Sequence, residues 1–286
     1  MVNILGLIFA NMHDATVAEL TKERALGSVL FGGRYRMIDF PLSNLVNSGV
    51  YEVGILTKSN YQSLLDHVSS GREWDLSRKK GGLHLLPPFA NVGSGMYRGR
   101  MEALAGVKSF VEHSPAEYVI LTDCDVITTF NYSAAVKHHI ETGADITCIY
   151  AKSDYDCEIN KNVSVLTLDE TTEIIDITTD PQIKGKINLS LDMFILSKEF
   201  LMKLIEESIS RNLYSFIRDI LQPFVRGTHA TKYKVVGYEH TGYFLKIESM
   251  DTYYKANMAL LDSENREMLF KSKTPIYTKS SDYGPV

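Results

Sequence analysis

The sequence has little cysteine, and its three thiols, Cys124, Cys148 and Cys157, are an odd number with no paired spacing. That excludes a disulfide framework and a cysteine metal site, and it points to a reducing cytoplasm. A basic excess is also missing. The formal net charge is −5, with 30 Lys+Arg against 35 Asp+Glu, so a nucleic-acid partner is not expected. The apolar start MVNILGLIFANMHD has no basic lead and no small-residue cleavage pattern, and it is too short to cross a bilayer. A buried first strand is expected there, and no membrane partner. There is a single tryptophan, Trp74, inside a long polar stretch, where an exposed aromatic would mark a partner contact. Internal repeats, low-complexity tracts, a Walker loop, a nucleophile elbow and a His/Cys/carboxylate set with metal spacing are all absent from the sequence.

What remains is an ordinary globular composition: 286 residues, 44% hydrophobic and 23% charged. The length suits one large α/β domain or two modest ones. Residues 3–10 form a near-continuous apolar run, the mark of a strand covered on both faces. Strand patterns follow at 52–56, 117–121 and 145–150, and helical patterns at 41–48, 61–68, 98–112 and 132–142. This alternation predicts a mostly parallel sheet with helices on both faces, and ligands at strand carboxyl ends. The loops after Ala10 and after Leu121 are therefore the ones to watch. The Gly/Pro-spotted stretch 69–95 is long for a compact domain, a sign of a functional or mobile loop. The second half reads as strands at 163–168, 173–178, 186–196, 232–236 and 243–247, with helices at 198–208, 213–224 and 250–261. From Asp262 onward the chain is polar and shows no clear element.

Asp123 and Asp125, one residue apart in an extended segment, point to the same side. With a phosphate ligand they could hold a divalent cation; otherwise they are a solvated pair at a loop start. Arg34, Arg36 and Asp39 form either an ion-pair network bracing a loop or an anion site. Tyr97-Arg98-Gly99 opens a helix, as an anion site or as a plain helix start. His138-His139, late in a helix, is expected at the surface, where it meets the helix dipole favourably. In residues 31–49, FGGRYRMIDFPLSNLVNSG, Gly32-Gly33 suits a turn, Pro41 suits a first helical turn, and Gly49 suits a helix end.

Residues 31–49, together with VGILT at 53–57, LPP at 86–88, YRG at 97–99, the strand before Asp125 and YYKANMALL at 253–261, resemble the ADP-glucose pyrophosphorylase (glucose-1-phosphate adenylyltransferase) family. The resemblance implies a Rossmann-like, GT-A-like α/β nucleotidyltransferase domain over residues 1–262, with a mostly parallel mixed sheet. It implies that residues 263–286 are a linker and the start of a left-handed β-helix domain, with IYTKSSDYGPV as the lead-in and the rest of that domain largely absent. The family's reaction is attack by a glucose 1-phosphate oxygen on the α-phosphate of ATP, releasing pyrophosphate. Metal, basic side chains and backbone N–H groups neutralise the developing charge.

Against that pattern the chain departs at several family positions. The family's GGxGTRL loop reads Asn11-Met12-His13-Asp14-Ala15-Thr16-Val17, so three glycines have become Asn11, Met12 and Asp14, and an arginine Thr16. A phosphate-facing lysine is Leu26, the glucose 1-phosphate lysine is Asp180, and the second metal-holding aspartate is Lys246. Asp125 is left at the first metal and catalytic position, and Tyr97, Gly99 and Ser190 match a residual substrate pocket. The same losses resemble the GlgD-type regulatory subunit of bacterial glycogen biosynthesis. They imply a catalytically silent or very weak cytoplasmic subunit that tunes a catalytic partner in a hetero-oligomer. No cofactor is then required, and Mg2+ would be held weakly at Asp125 only with residual activity. A nucleotide or sugar-phosphate effector is left open. The rival readings are an active sugar-phosphate nucleotidyltransferase with altered loop or substrate, and a metabolite-sensing scaffold.

Overall fold

The computed structural model describes residues 2–88, 97–270 and 273–280. In chain order the strands are β1 (Ile4–Phe9), β2 (Leu30–Phe31), β3 (Tyr35–Arg36), β4 (Glu52–Leu56), β5 (Gly82–Leu86), β6 (Tyr118–Asp123) and β7 (Val126–Thr128). They continue with β8 (Ile146–Asp156), β9 (Ser164–Leu168), β10 (Ile174–Thr179), β11 (Lys184–Ser197), β12 (Val235–Glu239) and β13 (Phe244–Lys246). The chain divides into two compact units. One comprises Met1–Leu5, Pro88–Leu121 and Ala134–Thr241; the other comprises Gly6–Pro87, Thr122–Ser133 and Gly242–Val286.

In the first unit the strand order is β10-β9-β11-β6, with β8 between β11 and β12. β11 runs antiparallel to β8 from Lys184↔Asp156 to Leu196↔Ile146, with a register shift between Ser190 and Met193, and β12 lies parallel to β8. The mixed sheet expected from the sequence is present, its antiparallel pairs gathered on and beside β11. Helix Lys198–Arg211 starts directly after β11. Ser197 Oγ accepts the Phe200 N–H at the N-cap, and Leu201, Leu204, Ile205 and Ser208 form the buried face. Asn212 ends the helix in the left-handed region at φ 55.

Two helices of this unit differ from their sequence patterns. The pattern at 98–112 is broken into Arg100–Gly106 and Lys108–His113. The pattern at 213–224 begins as a π-helical turn, Phe216–Leu221, before Gln222–Val225. Pro223 supplies no N–H for an α-helical bond to Asp219, so a wider turn precedes it.

His139 is not at the surface. It is 3% exposed, its Nδ1 lies 2.8 Å from Thr147 Oγ1, and its ring meets Tyr118 edge-on at 5.5 Å. The helix carrying it turns that residue toward β8, and local sequence says nothing about the neighbouring strand. Burial lowers its pKa from 6.5 to about 4, with His138 pushing the same way and Asp145 opposing. The unfolded chain therefore binds a proton that the folded chain refuses between those values. The contribution is complete above pH 6.5 and lost as pH falls toward 4, by about 3 kcal/mol in total. Urea titrations at pH 7 and pH 4.5 should show this loss, and His139→Gln should remove the His139 share of the slope. An unchanged slope in that variant would assign the pH dependence to other groups.

In the second unit the order is β1-β4-β5, and β4 runs parallel to β5 from Glu52↔Gly82 to Leu56↔Leu86. β1 buries Leu5, Leu7, Ile8 and Phe9, as its apolar run predicts. A Cβ on Gly6 would stand 2.7 Å from Leu45 Cδ1, so the glycine lets helix Asp39–Asn47 pack closely on the strand. β2 and β3 form a small antiparallel ribbon, with Gly32 and Gly33 at its turn at φ 60 and 69. β7 and β13 form another, pairing Lys246 with Val126. Asn44 is buried. Its Nδ2 donates to Thr128 O at 3.0 Å and its Oδ1 accepts the Phe130 N–H at 3.0 Å, which fastens the helix to the segment after β7.

Two further expectations are corrected in this unit. Trp74 is 1% exposed, with its ring edge-on to His67 at 5.8 Å, and is no partner contact. Gly71, at φ 73, accepts the N–H groups of Trp74 and Leu76 on its carbonyl, which folds the polar stretch back over the indole. The polar run after Asp262 contains helix Ser263–Phe270, started by Asp262 Oδ1 accepting the Glu264 N–H. Its Phe270 ring stacks on Tyr35 at 4.8 Å. Part of the expected long loop, residues 89–95, lies outside the described residues.

Candidate functional site

β6 ends in Asp123, the chain bends at Cys124, and Asp125 leads into β7. The Ile247 N–H donates to Asp125 O at 2.8 Å, which holds the end of β13 against this bend. Asp123 and Asp125 are 2% and 1% exposed, so they are not a solvated pair. Lys246 Nζ, itself buried, lies 3.2 Å from Asp125 Oδ2. His13 Nε2 lies 2.6 Å from Asp123 Oδ2 and 3.8 Å from Asp125 Oδ2. One ligand atom from each of His13, Asp123 and Asp125 falls within 4.8 Å of the others, a donor set of metal-binding type.

The loop after β1 is bonded to itself and to the strand ends around it. Asn11 Nδ2 donates to Asp14 Oδ2 at 2.8 Å and to Ser59 O at 3.3 Å, and its Oδ1 accepts the Lys58 N–H at 3.1 Å. Asp14 Oδ1 accepts the Leu26 N–H at 2.8 Å. Burial raises the Asp14 carboxyl above its usual range, partly offset by those bonds from Asn11 and Leu26. Thr16 Oγ donates to His13 O at 2.7 Å, Met12 is half-buried, and Leu26 is fully buried. The loop's side chains thus bond to one another and to the backbone of the segments at Leu26 and Lys58–Ser59, where glycines would leave open space.

A family profile described as nucleotidyl transferase matches residues 16–263. The chain belongs to the nucleotidyltransferase family. It is 30% identical over 289 residues to the glucose-1-phosphate adenylyltransferase of Thermotoga neapolitana, covering 100% of this chain and 67% of that protein. It is 31% identical over 265 residues to the enzyme of that name from Pseudothermotoga lettingae, covering 91% and 61%. The match to the Halalkalibacterium halodurans protein of the same name is 30% over 285 residues, covering 99% and 73%. The chain thus spans roughly three fifths to three quarters of the length of these relatives. The α/β nucleotidyltransferase domain expected from the sequence is the one found. Among the described residues no helix is long and apolar enough to cross a membrane.

Magnesium is the metal this family implies, and the residues present do not fit it. In its favour, Asp125 Oδ1 is buried with no hydrogen-bond partner among the described residues. Against it stands the Lys246 ammonium on the other oxygen of the same carboxylate. A divalent ion about 4 Å from an ammonium is repelled by about 8 kcal/mol at an effective dielectric of about 20. The ammonium also holds the Asp125 oxygen on that side, so a divalent ion would have to break this pair as well as meet its charge.

The remaining sequence-derived positions of this family member are placed as follows. Asp180 is exposed at φ 46; its N–H donates to Val163 O at 3.0 Å and its Oδ1 accepts the Val163 N–H at 3.0 Å. Ser190 is buried, and its Oγ accepts the Asp192 N–H at 3.2 Å beside the irregular step in β11. Tyr97 is buried, which raises its phenol pKa, and its hydroxyl has no hydrogen-bond partner among the described residues. Gly99 precedes helix Arg100–Gly106. The Arg98 N–H donates to Glu102 Oε2 at 2.6 Å, so the anion at that helix start is the chain's own carboxylate. The Arg98 guanidinium stacks 3.6 Å over Tyr214.

Arg34, Arg36 and Asp39 do not converge. Asp39 Oδ2 accepts the Arg36 N–H at 2.9 Å and its Oδ1 lies 2.5 Å from His67 Nε2. Arg36 Nη1 donates to Ser63 O and Oγ, while Arg34 is exposed above the Tyr35 ring. Arg36 and Asp39 brace the loop. Sequence reasoning missed His13 as the partner of Asp123. The available signal was its place in the loop after β1, because that loop and the one after β6 both lie at strand carboxyl ends.

Proposed function

We propose that the chain is a catalytically silent regulatory subunit of a hetero-oligomeric ADP-glucose pyrophosphorylase in bacterial glycogen-type synthesis. In the cytoplasm it tunes a catalytic partner that makes ADP-glucose and pyrophosphate from ATP and glucose 1-phosphate. The observation that carries this reading is the Lys246 ammonium 3.2 Å from Asp125 Oδ2, where the family resemblance calls for a metal-holding aspartate. The self-bonded loop at Asn11, Asp14 and Thr16 supports it independently. Removing one charge-stabilising group from such a site typically costs about 2.7–4 kcal/mol in barrier, and several are altered here. Regulation follows if the chain binds the active state of its partner more tightly than the inactive state.

Purified alone with ATP, glucose 1-phosphate and Mg2+, the chain forms no measurable ADP-glucose. Mixed with a catalytic glucose-1-phosphate adenylyltransferase from the same cell, it changes the rate in proportion to subunit ratio up to a fixed stoichiometry. Turnover by the chain alone at an ordinary family rate would replace this reading with that of an active nucleotidyltransferase. No rate change on mixing would leave the metabolite-sensing scaffold, for which nucleotides and sugar phosphates can be screened by thermal shift.

A further inference from the structure

We infer that Lys246 is a built-in counter-cation that excludes divalent metal from the Asp123–Asp125 pair. The inference rests on the proposed function for its setting, but the geometry that carries it is independent of any turnover. Lys246 comes from β13, whose ladder with β7 pairs it with Val126, next in the chain to Asp125. The ladder and the Ile247–Asp125 backbone bond fix the backbone from which the Lys246 side chain reaches Asp125. Lys246 is buried, so water does little to screen it. His13 approaches the same pair from the loop after β1 and hydrogen-bonds Asp123. Oδ2 of each carboxylate is therefore met by a side chain of the chain itself, and a divalent ion bound there would have to displace a paired ammonium.

The block to metal thus sits in one side chain. Two carboxylates and an imidazole with metal-ligand chemistry remain beside it. Lys246→Asp removes the repelling charge and adds an oxygen donor, which turns the pair into a cation site.

Mn2+ alone is the probe, read on the full chain by electron paramagnetic resonance and by calorimetric titration. The unaltered chain leaves the free-ion signal unchanged. Lys246→Asp binds Mn2+ about a hundredfold tighter or more, and adding Asp125→Asn to that variant abolishes the gain. Should Lys246→Asp fail to fold, Lys246→Gln removes the charge at similar length and gives a smaller gain in the same direction. Stoichiometric Mn2+ binding by the unaltered chain, lost on Asp125→Asn, overturns the inference. Equal affinity in the unaltered, Lys246→Asp and Lys246→Gln chains overturns it as well. Mn2+ bound by an unaltered chain that makes no ADP-glucose would end this inference and leave the regulatory reading standing; ADP-glucose formation would end the regulatory reading.

Discussion

Asp39→Ala is expected to lower the unfolding free energy by about 3–5 kcal/mol. The carboxylate is fully buried and serves two partners, the Arg36 N–H at 2.9 Å and His67 Nε2 at 2.5 Å. Alanine leaves both without their acceptor in a place water does not reach. Each buried polar group so abandoned costs about 1–3 kcal/mol, and the missing carboxyl volume adds a small cavity term. His67 also carries the edge of Trp74, so the loss spreads into the stretch that covers the indole. Urea unfolding should show a lower midpoint with an unchanged slope. Asp39→Asn keeps the shape and a hydrogen-bonding oxygen and should lose clearly less. A cost below about 1 kcal/mol for alanine would mean that Asp39 does not brace this loop.

Gly99→Ala should cost about 3 kcal/mol or more, although the change adds a single carbon. Gly99 is extended, at φ −171, a conformation open to any residue, so the penalty is one of space. A Cβ there would stand 2.3 Å from Tyr214 O and 2.7 Å from Tyr214 C. Those atoms cannot yield cheaply. Tyr214 O accepts the Met101 N–H at 3.0 Å, and the Tyr214 N–H donates to Asp219 Oδ2 at 2.8 Å. The melting temperature should fall by about 6–12 °C, taking about 2–4 °C per kcal/mol for a chain of this size. A shift within about 2 °C would contradict the close approach. Gly99 sits in the YRG motif that marks the family, and this packing gives the glycine a reason that requires no ligand.

The elements that were legible in the sequence are those that bury a continuous or periodic apolar face. Ile4–Phe9 and Glu52–Leu56 are covered strands, and an apolar run of that length has few alternatives. Lys198–Arg211 announces itself through Leu201, Leu204 and Ile205. Helix Ser263–Phe270 did not, because Leu269 is its one buried residue and its stabilising contact is the stacking of Phe270 on Tyr35. Trp74 and His139 were misplaced for a related reason. Each has polar neighbours in the sequence, and its burial comes from turns and packing that local composition does not report.

By itself the sequence determined the α/β class and the family, and its resemblance to that family set the expectation that glycines and charged groups are replaced at phosphate and metal positions. Those are properties of residue identity and spacing along the chain. Only the tertiary structure decided what the replacements do: Asn11 and Asp14 tie their loop to itself, His13 meets Asp123, and Lys246 sits on Asp125. Electrostatic pairing depends on distance and burial, and the β7–β13 ladder sets both for residues that the sequence keeps far apart.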